Sequence, residues 1–409
     1  MSEQVHPGSE QVHPGPEPGS PKEIVCALPD DWHLHLRDGD ALKSVVLASA
    51  LQFGRAIVMP NLKPPITRLS QALEYRDSIR NALKDQMTET IGLLEDHAGR
   101  KAVEKQWFFY RSQPSQDWML EQLHQAAKFE PLMTLYLTDQ TAPEEIDLAV
   151  HSGVVKAVKL YPAGATTHSD AGVTSVPGLY PVFERMQKLG LPLLVHGEVT
   201  DPEVDVFDRE AVFIDRVMLD LRRRFPALRI VFEHITTQEA AHFVRDAEAP
   251  IAATITPQHL LYNRNAIFNR GLRPHWYCLP VLKRERHRLA LLEAAVSGSP
   301  RFFLGTDSAP HAAQLKEHAA ACAGCYSAPH ALALYASVFD AAAAIDRWEG
   351  FACSYGAAFY GLQANQGKIR LVKEPCPIPE QIAFVPGQKI VPLAGGDTVP
   401  WRFDGFILD

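Results

Sequence analysis

The chain has 409 residues, 46% of them hydrophobic and 22% charged, which is enough for a large core in one or two domains and leaves room for only short disordered parts. A formal net charge of -8 with no long Lys/Arg run excludes a polyanion-binding surface, so a small molecule is the expected partner and nucleic acid is not. No apolar stretch approaches the roughly 20 residues that cross a bilayer, and the six cysteines lack the spacing of a disulfide scaffold, so no membrane association and a reducing compartment are expected.

Residues 2–8 and 9–15 both read SEQVHPG, and PEPGSP follows. This polar, Pro/Gly-rich composition cannot bury a core and predicts a disordered tail over 1–20. The tail carries Glu3, Glu10 and Glu17 and no arginine, unlike an organelle transit peptide, which favours the cytoplasm. From residue 21 to 409 a single domain is expected. Its eight short apolar runs are IVCALP ending in DDWHLHLRD, then AIVMPN, PLMTLYLTD, VVKAVKLYP, LPLLVHGE, RIVFEHIT, IAATITPQH and RFFLGTDSAPH. Continuous rather than alternating apolar runs mean strands covered on both faces, and helix-like stretches between them imply parallel pairing. Eight such units predict an α/β fold, a closed (β/α)8 TIM barrel. Residues 85–128 form a long connection with mixed charge and clustered aromatics, expected to be an inserted segment, either unstructured or a surface excursion.

Polar residues fall at the ends of these runs, the face of such a barrel that holds the active site. His33 and His35 are one residue apart, so an extended backbone turns both imidazoles to one side. Alone, an HxH pair is more often packing than a metal site. His196, His234 and Asp307 end three later runs in the same manner, and together these residues supply a nitrogen-and-oxygen set suited to zinc. Lys159 ends the fourth run, where a bare ammonium beside metal cations would be repelled. Arg37 follows two residues after His35, on the same side of an extended strand, where it could pair with a carboxylate. Cys322 and Cys325 form a CxxC without a second copy, so no separate redox or metal role is expected, and Arg222, Arg223 and Arg224 read as the solvated end of a helix.

The HxH pair, the fourth-run lysine, the two later histidines and the eighth-run aspartate together resemble the amidohydrolase superfamily. Longer strings, among them DDWHLHLRDG, VMPNLKPP, KLYPAGATT, LLVHGEVTD, VFEHITT, GLRPHWYCLP and FLGTDSAPH, resemble the bacterial-type, single-function dihydroorotases from about Glu23 to Trp401. The resemblance implies two Zn2+ per chain, with His33, His35 and Asp307 on the more buried ion and His196 and His234 on the second. It also implies that N6-carboxylated Lys159 and a hydroxide bridge the two ions. Arg37, Asn61 and His311 would hold the substrate carboxylate, backbone groups at Leu279 and Ala323 would meet the ring amides, and Thr166 and Thr167 would lie on a mobile loop that closes over substrate. The implied reaction is the reversible cyclisation of N-carbamoyl-L-aspartate to L-dihydroorotate, the third step of pyrimidine biosynthesis, with Asp307 as proton shuttle in a homodimer. The alternatives are another cyclic amidohydrolase, such as a hydantoinase or allantoinase, and a catalytically inactive barrel scaffold.

Overall fold

The structure is a computed structural model describing residues 21–107, 110–248 and 250–407. The tail expected over 1–20 lies outside the described residues. Eleven strands matter to the argument. They are β1 (Glu23–Ala27), β2 (Asp30–Leu34), β3 (Arg55–Val58), β4 (Glu130–Tyr136), β5 (Val155–Leu160) and β6 (Leu193–Val195). β7 (Ile230–Phe232), β8 (Ile251–Ile255), β9 (Phe302–Leu304), β10 (Lys368–Val372) and β11 (Arg402–Ile407) follow. Strands β2 to β9 pair in parallel and in chain order, as expected of a (β/α)8 barrel. The seam between β2 and β9 is closed just beyond β9, where the Asp307 amide donates to His33 O at 2.9 Å and the His35 amide to Ser308 O at 3.2 Å.

One expected element divides in two. The run IVCALP does not continue into the first barrel strand: β1 pairs antiparallel with β10, and β10 with β11, in a separate three-stranded sheet. Burial alternates along β1, with Val25 exposed, whereas every residue of β2 is buried. Alternation marks a sheet with one wet face, and continuous burial marks a barrel strand.

Each barrel strand sends one residue into a common inner layer: Trp32, Ile57, Leu132, Ala157, Leu194, Val231, Ala252 and Phe303. Neighbouring positions such as Val158, Val195 and Phe232 pack outward. Side chains alternate along a strand, so the residue two beyond the inner layer points inward again, one level higher. That rule places Lys159, His196 and Glu233 above the core. β2 departs from it, because its pairing register shifts between Asp31 and Leu34 and both Trp32 and His33 reach the interior.

Buried Asp31 stitches the seam from below. Its Oδ1 accepts from the amides of His33 (3.1 Å) and Thr306 (2.9 Å), and its Oδ2 accepts from the Thr306 hydroxyl (2.6 Å). Burial pushes its carboxyl up to about 6 against these hydrogen bonds, so the fold gains little from the negative charge itself. Asp31→Asn keeps both amide contacts, and the Thr306 hydroxyl can turn to His33 O, 3.3 Å away. Denaturant unfolding at neutral pH should therefore find Asp31→Asn within about 1 kcal/mol of wild type and Asp31→Ala about 2–4 kcal/mol less stable, since alanine strands two buried N–H groups.

Residues 85–128 are largely helical rather than unstructured, spanning the end of α2 (Leu69–Glu95), after α1 (Gly39–Ala50), and all of α3 (His97–Trp107) and α4 (Gln116–Ala126). Their aromatic residues found a partner in the small sheet. Trp107 meets Tyr110 and Trp118 edge to face, Tyr110 meets Phe403, and Gln122 Oε1 accepts from the Phe406 amide at 2.6 Å. No helix among the described residues is long and apolar enough to cross a membrane.

Candidate active site

The four histidines converge at the C-terminal mouth of the barrel. Ring centroids step from His35 to His33 (5.2 Å), His33 to His234 (4.9 Å) and His234 to His196 (4.8 Å). Strand alternation delivers His196, but His234 follows inward-facing Glu233 and reaches the same space only because its φ is +41°. Asp307 takes a similar left-handed conformation, φ +46°, an uncommon choice outside glycine that often marks functional sites.

One compact donor set is His33, His35 and Asp307. The two Nε2 atoms are 3.3 Å apart, and Asp307 Oδ1 lies 3.4 Å from His33 Nε2 and 3.1 Å from His35 Nε2. Ligands about 2.0–2.1 Å from a tetrahedral ion stand about 3.3 Å from one another, so this spacing fits a metal ion. Protonation fits as well. Burial brings His35 down to about 4 and holds His234 well below the usual imidazole range, while Asp307, which burial alone would raise, is brought to about 2 by His35 and the neighbouring imidazoles. Neutral imidazoles and an ionised carboxylate are the forms that bind metal. A second group joins His33, His234 and Glu233. Glu233 is fully buried, 3.2 Å from His33 Nδ1, and its other oxygen contacts Lys159 Nζ. Burial lowers the Lys159 ammonium, with Glu233 opposing.

The expected substrate residues surround this centre. Arg37 does not extend the strand, which ends at Leu34; its φ of +62° turns the side chain towards the pocket instead. Arg37 Nη2 donates to His311 Nε2 at 2.9 Å and Nε to Pro310 O at 3.2 Å, and the Tyr75 hydroxyl on α2 holds the Arg37 carbonyl at 2.6 Å. Because arginine can only donate, His311 accepts at Nε2 and carries its proton on Nδ1. Asn61 Oδ1 lies 2.9 Å from His35 Nδ1, and its amide donates to Thr167 O at 3.3 Å. The loop bearing Thr166 and Thr167 lies over the site, with Thr167 Oγ1 bonded to both the amide (3.2 Å) and the carbonyl (3.3 Å) of Ala323. Leu279 lines the same pocket. Cys322 and Cys325 are free thiols, and Arg223 and Arg224 pair with Asp220 on a surface helix end.

Gly197, next to His196, has no room for a side chain: a Cβ there would stand 2.0 Å from the Phe232 ring. Gly197→Ala should cost about 1–3 kcal/mol by overpacking, read by thermal or denaturant unfolding.

Fold and site define the class. The model of the Amidohydrolase family matches residues 27–376, and the chain belongs to that family. It is 56% identical to the dihydroorotase of Cupriavidus necator over 381 residues, 93% of this chain and 99% of that protein. Among solved structures, dihydroorotase from Saccharomyces cerevisiae in complex with 5-fluoroorotic acid superposes with a TM-score of 0.78 at 30% identity, covering 93% of this chain and 98% of that one. Within the amidohydrolases, this chain is a member of the dihydroorotases. L-Hydantoinase from Arthrobacter aurescens, at 15% identity and a TM-score of 0.68 over 93% of this chain and 83% of that one, shares the fold.

Proposed function

We propose that this site interconverts N-carbamoyl-L-aspartate and L-dihydroorotate, with residues 21–409 acting as one catalytic domain. The observation that carries the reading is the placement of the His33, His35 and Asp307 donor set beside the Arg37–His311 pair, at 56% identity to a dihydroorotase. We assign His33, His35 and Asp307 to one Zn2+, His196 and His234 to a second, and N6-carboxylated Lys159 to the bridge. Burial lowers the Lys159 ammonium, with Glu233 opposing, and so shifts it towards the amine form that adds to carbon dioxide, which supports the last assignment. When bound, such a metal pair acidifies a water and draws charge from the amide carbonyl.

The chain's own residues do the rest. Arg37, Asn61 and the Nδ1–H of His311 hold the carboxylate of the ring, and the backbone at Leu279 and Ala323 aligns the amides. Substrate takes over the Ala323 groups now held by Thr167, leaving Thr166 and Thr167 to close from above. Asp307 accepts the proton of the attacking water and hands it to the departing amide nitrogen; cyclisation runs these transfers backwards. A hydantoin or allantoin has no carboxylate for Arg37 to hold, which disfavours the alternative substrates, and the complete donor set disfavours an inactive scaffold. A cytoplasmic homodimer completes the reading, and unbridged cysteines suit that compartment.

The test is turnover of both substrates by the purified chain, followed by ultraviolet absorbance, with hydantoin and allantoin as controls and metal content measured on the same sample. Interconversion with about two metals per chain is expected from the ligand set; metal without turnover of dihydroorotate would overturn the substrate assignment.

A further inference from the structure

The chain that leaves β9 carries Asp307 and His311 and then a short helix, Ala313–Lys316, whose last residue is almost wholly buried. Lys316 Nζ donates to three main-chain carbonyls, those of Tyr277 (2.7 Å), Cys322 (3.0 Å) and Gly324 (2.6 Å). Carbonyls only accept, so all three bonds use lysine protons, and three is the full complement of an ammonium. None is left to meet a substrate.

The three acceptors belong to two segments that are far apart in sequence and that both line the pocket, through Leu279 and Ala323. Along 322–324 the main chain alternates. Cys322 and Gly324 send their carbonyls to Lys316 and their amides to Leu315 O (3.1 Å) and Tyr277 O (3.0 Å). Ala323 between them turns its amide and carbonyl the other way, to Thr167 Oγ1 on the loop over the site. Gly324 also presses on the carboxylate end, since a Cβ there would stand 2.7 Å from Ala309 Cβ and 3.1 Å from His311 Cδ2. Lys316 thus fixes the face that Ala323 offers by holding the groups on either side, and ties it to the segment that leads into Leu279. We infer that Lys316 is a positioning residue for the ring-amide end of the site, setting the separation and orientation of the Ala323 and Leu279 main chains. The inference rests on the proposed assignment of those main-chain groups to the ring amides. A buried ammonium is costly to desolvate, and an apolar side chain would fill the space without fixing three carbonyls. A displacement of about 1 Å in such a frame can cost about 100-fold in rate.

The experiment compares full-length, metal-loaded wild type, Lys316→Met and Lys316→Gln. Methionine keeps an unbranched side chain and loses every donor, whereas glutamine, of the same length, keeps two N–H donors. Metal content, hydrogen exchange by mass spectrometry and steady-state ring opening of L-dihydroorotate are read on each. Lys316→Met should keep its metal, exchange faster in peptides spanning 275–281 and 320–326 but not in the barrel strands, and lose about 10- to 100-fold in kcat/KM. Part of that loss should be a rise in KM, which a smaller folded fraction cannot produce, because fewer active molecules lower only kcat. Lys316→Gln should fall between the other two proteins, and decides by the same readouts should Lys316→Met fail to fold. An unchanged KM, faster exchange spread through the barrel, or a glutamine variant no better than methionine would overturn the inference while the proposed reaction stands. A wild type that does not open dihydroorotate overturns the proposed reaction itself, and shows it before either variant is made.

Discussion

Asp307→Asn should bind metal and turn over almost no substrate. Asparagine is isosteric with aspartate, tolerates the φ of +46° at this position, and leaves the Asp307 amide donating to His33 O across the seam. The fold and most of the ligand geometry should therefore survive. An amide cannot take a proton from water and return it to nitrogen, and positioned proton transfer contributes typically about 10²- to 10⁴-fold. We expect kcat to fall by that factor in both directions of the reaction, with metal content close to that of wild type. A loss of less than about tenfold, below the range for such transfer, would remove Asp307 from the proton path and leave it a ligand only.

Arg37→Ala should act on binding. Truncating one partner of a buried, hydrogen-bonded charge pair costs about 2–5 kcal/mol, equivalent to about 30- to several-thousand-fold, and the loss should appear mainly in KM. The variant should also acquire a pH dependence. In the intact site burial, and next the Arg37 charge, hold His311 far below the usual imidazole range and so neutral. Removing the arginine takes away the second cause and leaves the first, so His311 gains a proton more readily as pH falls and offers a positive charge to the substrate carboxylate. KM of the variant should then improve on acidification while that of wild type does not. An unchanged KM at neutral pH would count against the carboxylate assignment.

Much of this architecture was legible because burial on both faces leaves a plain signature. The run before His196 is continuously apolar and those around Lys159 and His234 are broken only by Lys156 and Glu233, so the polar residue that ends each is visible at once. IVCALP was read as barrel because a half-exposed strand next to a buried one leaves little contrast over five residues. Glu233 was missed although its signal was present: counting by two from inner-layer Val231 lands on Glu233, and His234 enters the site only through a left-handed residue that no periodicity announces. Arg37 reaches the pocket by a route other than the expected one, since extended alternation was assumed where the chain turns. Tyr75 and Asn61 illustrate a different limit. Their partners, the Arg37 carbonyl and His35 Nδ1, are remote in sequence, and such pairings follow from the assembled barrel rather than from any local pattern. The helical packing of residues 85–128 was not legible for the same reason, because Trp107, Tyr110 and Trp118 are buried against one another and beside a sheet strand some 290 residues later in the chain.

The barrel's closure and its donor set share the same few atoms. Every other neighbouring pair of strands in the ring is held by a ladder of paired residues, but the last joint, between β2 and the chain leaving β9, depends on the main chain of His33, His35, Asp307 and Ser308, with Asp31 and Thr306 beneath. An ion gripped by His33, His35 and Asp307, as proposed, would therefore act as a rivet through the one place where the cylinder is not self-fastening. Rolling the sheet shut and acquiring such an ion would then be coupled, because each places the donors that the other needs.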